Sequence, residues 1–229
     1  MNYYAKTDIG KVRNKNQDQA AVNANIKDQV IAVVCDGMGG HRSGEIASRV
    51  VMDHVLSCFD IIPPFDTPEE LKKWLQETIV ECDQIVKRMA MQNVEHQGMG
   101  TTIVVAIFMD NKLYVSHVGD SRAYILKDGQ LTQITKDHTL VNELVDRGAI
   151  TPESAKHHVQ KNVLTQAIGA PTELKPSLIE MDFENSLLML CSDGLYNCLD
   201  NEAIKEILLK NTKVVEKVIE LQYWCGNHR

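Results

Sequence analysis

Two apolar runs far apart in the chain end in the same way. Val30 to Cys35 leads into Asp36-Gly37, and Leu187 to Cys191 leads through Ser192 into Asp193-Gly194. A short run of this kind, bounded by turn residues, reads as a strand buried on both faces. Each therefore delivers one carboxylate to a strand end, in backbone kept free of bulk by glycine. After Asp36 the glycines continue at Gly37, Gly39, Gly40 and Gly44, with His41 among them. A fold that brings these two strands together makes a site with two convergent acids.

The segments between them set the class of fold. Tyr3–Thr7 and Gln29–Cys35 read as strands. Ser43–Cys58 reads as a helix capped by Ser43, with Ile46, Ala47, Val50, Val51, His54 and Val55 at helical spacing. Thr67-Pro68-Glu69-Glu70 starts a second, long helix reaching to about Val94, with Leu71, Trp74, Leu75, Ile79, Ile85 and Met89 on its apolar face. Met89 and Met91 read as core filler. Thr101–Met109, Leu113–Val118 and Ala123–Leu126 are strands joined by Asp110-Asn111 and by Gly119-Asp120-Ser121, and Lys127-Asp128-Gly129 follows as a further turn. Short connections of this kind make an antiparallel meander. Residues 139–160 are polar and partly helical, a lobe between strands. Leu178–Met181 and Leu187–Cys191 return to strand, and two helices follow at Asp200–Leu209 and Lys213–Leu221. The expected class is α+β, two packed antiparallel sheets flanked by helices in one αββα sandwich over residues 1–229.

The formal charge of −7 lacks the basic stripe of a nucleic-acid binder. No apolar run approaches the ~20 residues of a membrane span, and the N-terminus has no apolar stretch of signal type. The six cysteines contain no Cys-x-x-Cys pair, so free thiols in a reducing cytoplasm are expected.

Polar groups gather at turns: Arg13 to Asp18, Asp36 to His41, Gly119 to Arg122, Asp137-His138 and Asp193-Gly194. Carboxylates dominate, and all-oxygen ligation is what Mg²⁺ and Mn²⁺ prefer. Two such ions about 3.5–4 Å apart can clamp a phosphoryl group for in-line attack. Arg13 suits the phosphate oxygens, and His41, with an ordinary pKa near ~6.5, suits the leaving alkoxide. Each residue alone has a plainer reading. Asp36 with its glycines could be a tight turn, Asp193 or Asp18 a turn or cap residue, and Arg13 a surface arginine. A phosphate-binding loop lacks the Gly-Lys-Ser/Thr it would need. A serine esterase using Ser121 with Asp137-His138 leaves Asp36 and Asp193 unexplained. His138, His157 and His158 are taken as surface residues.

Together, Gly10–Asp18, Asp36–Ser48, Gly98–Thr102, Val118–Ala123, Asn162–Gly169 and Cys191–Tyr196 resemble, in order and spacing, the metal-dependent serine/threonine protein phosphatases of type 2C (PPM), bacterial branch. The resemblance implies hydrolysis of phosphoserine and phosphothreonine by a hydroxide bridging two metal ions. It implies Asp36 as the bridging ligand, the Gly37 carbonyl and Asp193 as further ligands, and Asp120 at a third, weaker ion. Arg13 then binds phosphate, Asp18 orients water or His41, and His41 is the general acid. Residues 139–160 become a flap that influences substrate choice. The implied partners are phosphorylated substrates of a serine/threonine kinase, met by a cytoplasmic monomer without nucleic acid or membrane. Two departures stand out. Gln17 occupies a position where the family usually has Glu. After Leu221 the chain reads Gln222 to Arg229 where the family has a Gly-x-Asp-Asn motif and a last strand, so that strand is expected to be missing. The alternative reading is a catalytically impaired phosphatase-like binding or regulatory protein.

Overall fold

The computed structural model describes residues 1–11, 13–40 and 43–227. In chain order the elements are β1 (Asp18–Ala24), β2 (Val30–Met38), α1 (Ser43–Ile61), α2 (Pro68–Gln92), β3 (Gly100–Thr101), β4 (Ile103–Met109), β5 (Lys112–Val118), β6 (Arg122–Lys127), β7 (Gln130–Gln133), α3 (Leu140–Asp146), α4 (Pro152–Lys156), β8 (Ser177–Asp182), β9 (Leu187–Cys191), α5 (Asp193–Tyr196), α6 (Asn201–Leu209) and α7 (Val214–Asn227). One sheet runs β1-β2-β4-β5-β8, with β3 also on β2; the other runs β7-β6-β9. Every pairing is antiparallel.

The period of two explains why β2 and β4 read as unbroken apolar runs. Ile31, Val33, Cys35, Ile103, Val105 and Ile107 point to one face, where they pack on Val51, Val55 and Phe59 of α1 and Leu71, Leu75 and Ile79 of α2. Val30, Val34, Val104, Ala106 and Phe108 point to the other and meet Ala123, Ile125, Leu188 and Leu190 of the second sheet. The outer face of that sheet places Tyr124, Leu126, Met189 and Cys191 against Ile204, Ile207, Leu208 and Leu221 of α6 and α7. Four layers result, helices–sheet–sheet–helices, as expected.

Local signals hold at most joints. Thr67 and Glu70 form a reciprocal capping box at the start of α2. Asp110 and Asn111 both have positive φ, and so do Asp128 and Gly129, which gives the hairpins the twist of their strands. Among the described residues no two cysteines are joined by a disulfide.

Several expectations are corrected. Tyr3–Thr7 forms no strand; it pairs with no strand among the described residues and lines the cleft beside β9 instead. β1 itself, Asp-Gln-Ala-Ala-Val-Asn-Ala, is a strand that small and polar residues concealed. Ser43 does not cap α1; it is the first helical residue and its hydroxyl donates to the Gly40 carbonyl. Val86, not Ile85, continues the buried face of α2, and Met91 is 85% exposed. The residues after Leu221 continue α7 as helix through Asn227. β9 pairs only with β6 among the described residues. Beside its other edge lies a cleft of about 630 Å³, between the N-terminal segment and α7.

Candidate active site

The site is assembled where strands stop. Antiparallel register sets Asp18 directly across from Asp36, so the two side chains lie together on one face. The Asp36 amide donates to the Thr102 hydroxyl (3.0 Å), while the Thr102 amide and the Thr101 hydroxyl donate to the Asp36 carbonyl (2.8 and 2.9 Å). Those bonds sit at the one-residue break between β3 and β4 and fix the strand end. Beyond it the backbone turns tightly. A Cβ on Gly37 would lie 2.1 Å from the Gly44 carbonyl oxygen and 2.7 Å from that of Gln17, so only glycine fits. The Ser48 hydroxyl donates to the same Gln17 carbonyl at 2.6 Å, tying the loop before β1 to α1.

The second sheet supplies the other acids. Asp193 opens α5 immediately after β9, and the neighbouring Ser192 hydroxyl donates to the Asp18 carboxylate at 2.6 Å, linking the ends of β9 and β1. Asp120 sits in the turn between β5 and β6. Gly119 there has a φ of 100° and lies so close to Thr102 that a Cβ would meet its side chain at 2.6 Å.

Electrostatics follow from this crowding. Burial, then the charges of Asp18, Asp193 and Asp120, push the Asp36 carboxyl up to about 9. Burial and Asp193 push Asp120 up to about 6, partly opposed by the Tyr196 hydroxyl, which donates to it at 3.1 Å. The nearby Arg122 does not neutralise them. Its guanidinium forks onto Asp137 (2.7 and 3.0 Å) and lies 3.5 Å over the Tyr196 ring. Four carboxylates thus repel one another, and their donor atoms are oxygens. That donor set and its excess of negative charge fit hard divalent cations such as Mg²⁺ and Mn²⁺.

Of the residues singled out in the sequence, Asp18, Asp36, Asp120 and Asp193 come close enough to perturb one another. Arg13 is exposed and borders the same cleft as Asp18, Asp36 and Asp193. His41 lies outside the described residues. The esterase alternative is excluded by geometry: Ser121 is buried on the Thr102 hydroxyl (2.7 Å), Asp137 is held by Arg122, and His138 stacks on His117. His138 is also not a surface residue. It bonds Ser177 at 2.9 Å, and burial followed by His117 lowers its pKa to about 4. The sequence reading missed the Asp137–Arg122–Tyr196–Asp120 chain, whose members were visible only as separate turn clusters.

The family model for protein phosphatase 2C matches residues 11–224. The chain belongs to the protein phosphatase 2C family. A relative, the serine/threonine phosphatase stp of Listeria monocytogenes, is 37% identical over 213 residues, covering 93% of this chain and 84% of its own length. The crystal structure of the serine/threonine phosphatase Stp1 from Staphylococcus aureus is similar with a TM-score of 0.91 and 35% identity, covering 98% of this chain and 89% of that one. The catalytic domain of the phosphatase PstP, solved in complex with two manganese ions, is similar with a TM-score of 0.84 and 34% identity over 98% of this chain and 91% of that one. The four-layer arrangement expected from the sequence is therefore that of type 2C phosphatases, and this chain is a protein phosphatase.

Proposed function

We propose that the chain hydrolyses phosphoserine and phosphothreonine in proteins, with Mn²⁺ or Mg²⁺ bound by Asp36, the Gly37 carbonyl and Asp193, and a further ion at Asp120. The observation that carries this reading is Asp36, half-buried beside Asp18, Asp120 and Asp193 and pushed up to about 9 in their company. Bound divalent ions supply the positive charge that a phosphoryl group and an attacking water need. Arg13, exposed at the mouth of the cleft, steadies the phosphate oxygens with its forked donors. Asp18, held by Ser192, orients the attacking water or His41. His41 returns a proton to the departing side-chain oxygen. Residues 139–160, carrying α3 and α4, act as the flap that screens substrates.

The substrates are phosphoproteins made by a serine/threonine kinase, and the chain works as a monomeric catalytic unit in the cytoplasm. Among the described residues no helix is long and apolar enough to cross a membrane. The test is phosphate release from a phosphothreonine peptide with and without Mn²⁺, for the chain and its Asp36→Asn variant. Release that needs both Mn²⁺ and Asp36 supports the proposal. A folded chain that binds the phosphopeptide without releasing phosphate is instead the impaired, binding member of the family.

A further inference from the structure

On the outer layer, away from the strand ends, three different ligand types meet. His54 and Cys58 stand one turn apart on α1, and Glu81 reaches them from α2. His54 Nε2 is 3.2 Å from Glu81 Oε2, and Cys58 Sγ is 3.6 Å from His54 Nε2. Their donor atoms all lie within 4.8 Å of one another. Tetrahedral zinc, with bonds of about 2.0–2.1 Å to nitrogen, about 2.0–2.2 Å to oxygen and about 2.3 Å to sulfur, places N and O about 3.4 Å apart and N and S about 3.6 Å apart. The spacing present in the structure is thus that of two edges of a zinc tetrahedron. His54 and Glu81 keep 26% and 57% of their side chains exposed, so an ion can enter from solvent, and the fourth position is open to water.

We propose that His54, Cys58 and Glu81 form a second, separate metal site, selective for Zn²⁺ over Mg²⁺ and Mn²⁺, which clips α1 to α2. One sulfur, one imidazole nitrogen and one carboxylate suit a borderline-soft ion, whereas the all-oxygen cluster suits hard ones. His54 is eleven residues beyond the start of α1, about 16 Å along the helix, so the two sites fill independently. Binding forms a zinc–thiolate bond and releases the Cys58 proton to solvent, so affinity rises with pH. A histidine–carboxylate contact without metal, with a thiol beside it, is the competing account.

The test uses Co²⁺ as a spectroscopic substitute for zinc, added to the full chain with excess Mn²⁺ present to fill the oxygen site. The expected result is a near-ultraviolet thiolate-to-cobalt band that saturates at one equivalent and is displaced by Zn²⁺. The band vanishes in Cys58→Ser and in His54→Gln, and Glu81→Gln, which removes the charge of a direct ligand, weakens binding by more than the about tenfold lost with an outer supporting partner. Zn²⁺ raises the melting temperature of the chain and leaves that of Cys58→Ser unchanged. Mn²⁺-dependent phosphate release is the same in Cys58→Ser as in the parent, which separates this site from the catalytic one. Absence of the band at millimolar Co²⁺, or a band that persists in Cys58→Ser, overturns the proposal.

Discussion

The two strands that end in Asp-Gly look alike as sequence and live in different halves of the molecule. β2 is paired along both edges, by β1 on one side and by β3 and β4 on the other, with α1 and α2 covering one face and the second sheet the other; the adjacent β4 is buried at every residue. Among the described residues β9 pairs with one strand, and two of its five residues are buried, where its outer edge faces the cleft of about 630 Å³. The contrast teaches that a buried-strand pattern specifies apolar contacts and leaves open how many edges are paired. It also separates the two acids. Asp36 is anchored by Thr101 and Thr102 in a closed scaffold, whereas Asp193 is set by a four-residue helix and a bond from Asn197.

The sharpest break of this comparison is catalytic. Asp36→Asn is expected to lower Mn²⁺-dependent phosphate release by about 10³-fold. Asp193→Asn is expected to lower it less at saturating Mn²⁺ and mainly to raise the Mn²⁺ needed, read from the metal dependence of the rate. Equal losses with unchanged metal demand would erase the distinction between the two acids.

Stability separates the halves next. Leu75→Ala, in the sealed layer at 1% exposure, is expected to cost about 3 kcal/mol, while Leu188→Ala, beside the cleft, costs about 1 kcal/mol. Urea unfolding measures both. A larger cost at Leu188 would mean that the second sheet is the better packed.

The pH response of the metal-free chain is a finer test. Between the ordinary carboxyl value of 3.8 and about 9, folded Asp36 keeps a proton that the unfolded chain gives up. Stability therefore falls as pH rises through that window, and Asp120 adds the same sign up to about 6. Between about pH 4 and 6.5 neutral His138 contributes the opposite sign, so the melting temperature without metal should drop from about pH 7 to about pH 9, and Asp36→Asn should flatten the curve. The smallest expected effect is Tyr196→Phe, which removes the hydroxyl that bonds Asp120 at a cost of about 1 kcal/mol and leaves the ring under Arg122 in place.

Much of this was legible in sequence because its signals are local. The strands at Gln29–Cys35 and Leu187–Cys191, the Thr67 cap and the Asp110-Asn111 and Asp128-Gly129 turns each depend on a few adjacent residues. β1 was not, since Asp18–Ala24 carries one β-branched residue and owes its conformation to pairing with β2. Tyr3–Thr7 has a strand-like alternation without a paired edge. The convergence of the aspartates was inferable from two matching motifs. The polar ties that hold them were not, because Ser192 reaches Asp18 across 174 positions and Tyr196 reaches Asp120 across 76.

The most direct test of the convergent carboxylates is a calorimetric titration of the chain with Mn²⁺, beside its Asp36→Asn variant, in buffers of different protonation enthalpy. The account predicts at least two ions bound per chain with release of protons that increases toward lower pH, and loss of tight binding and of that release in Asp36→Asn. The same stoichiometry, affinity and proton release in both proteins would contradict it.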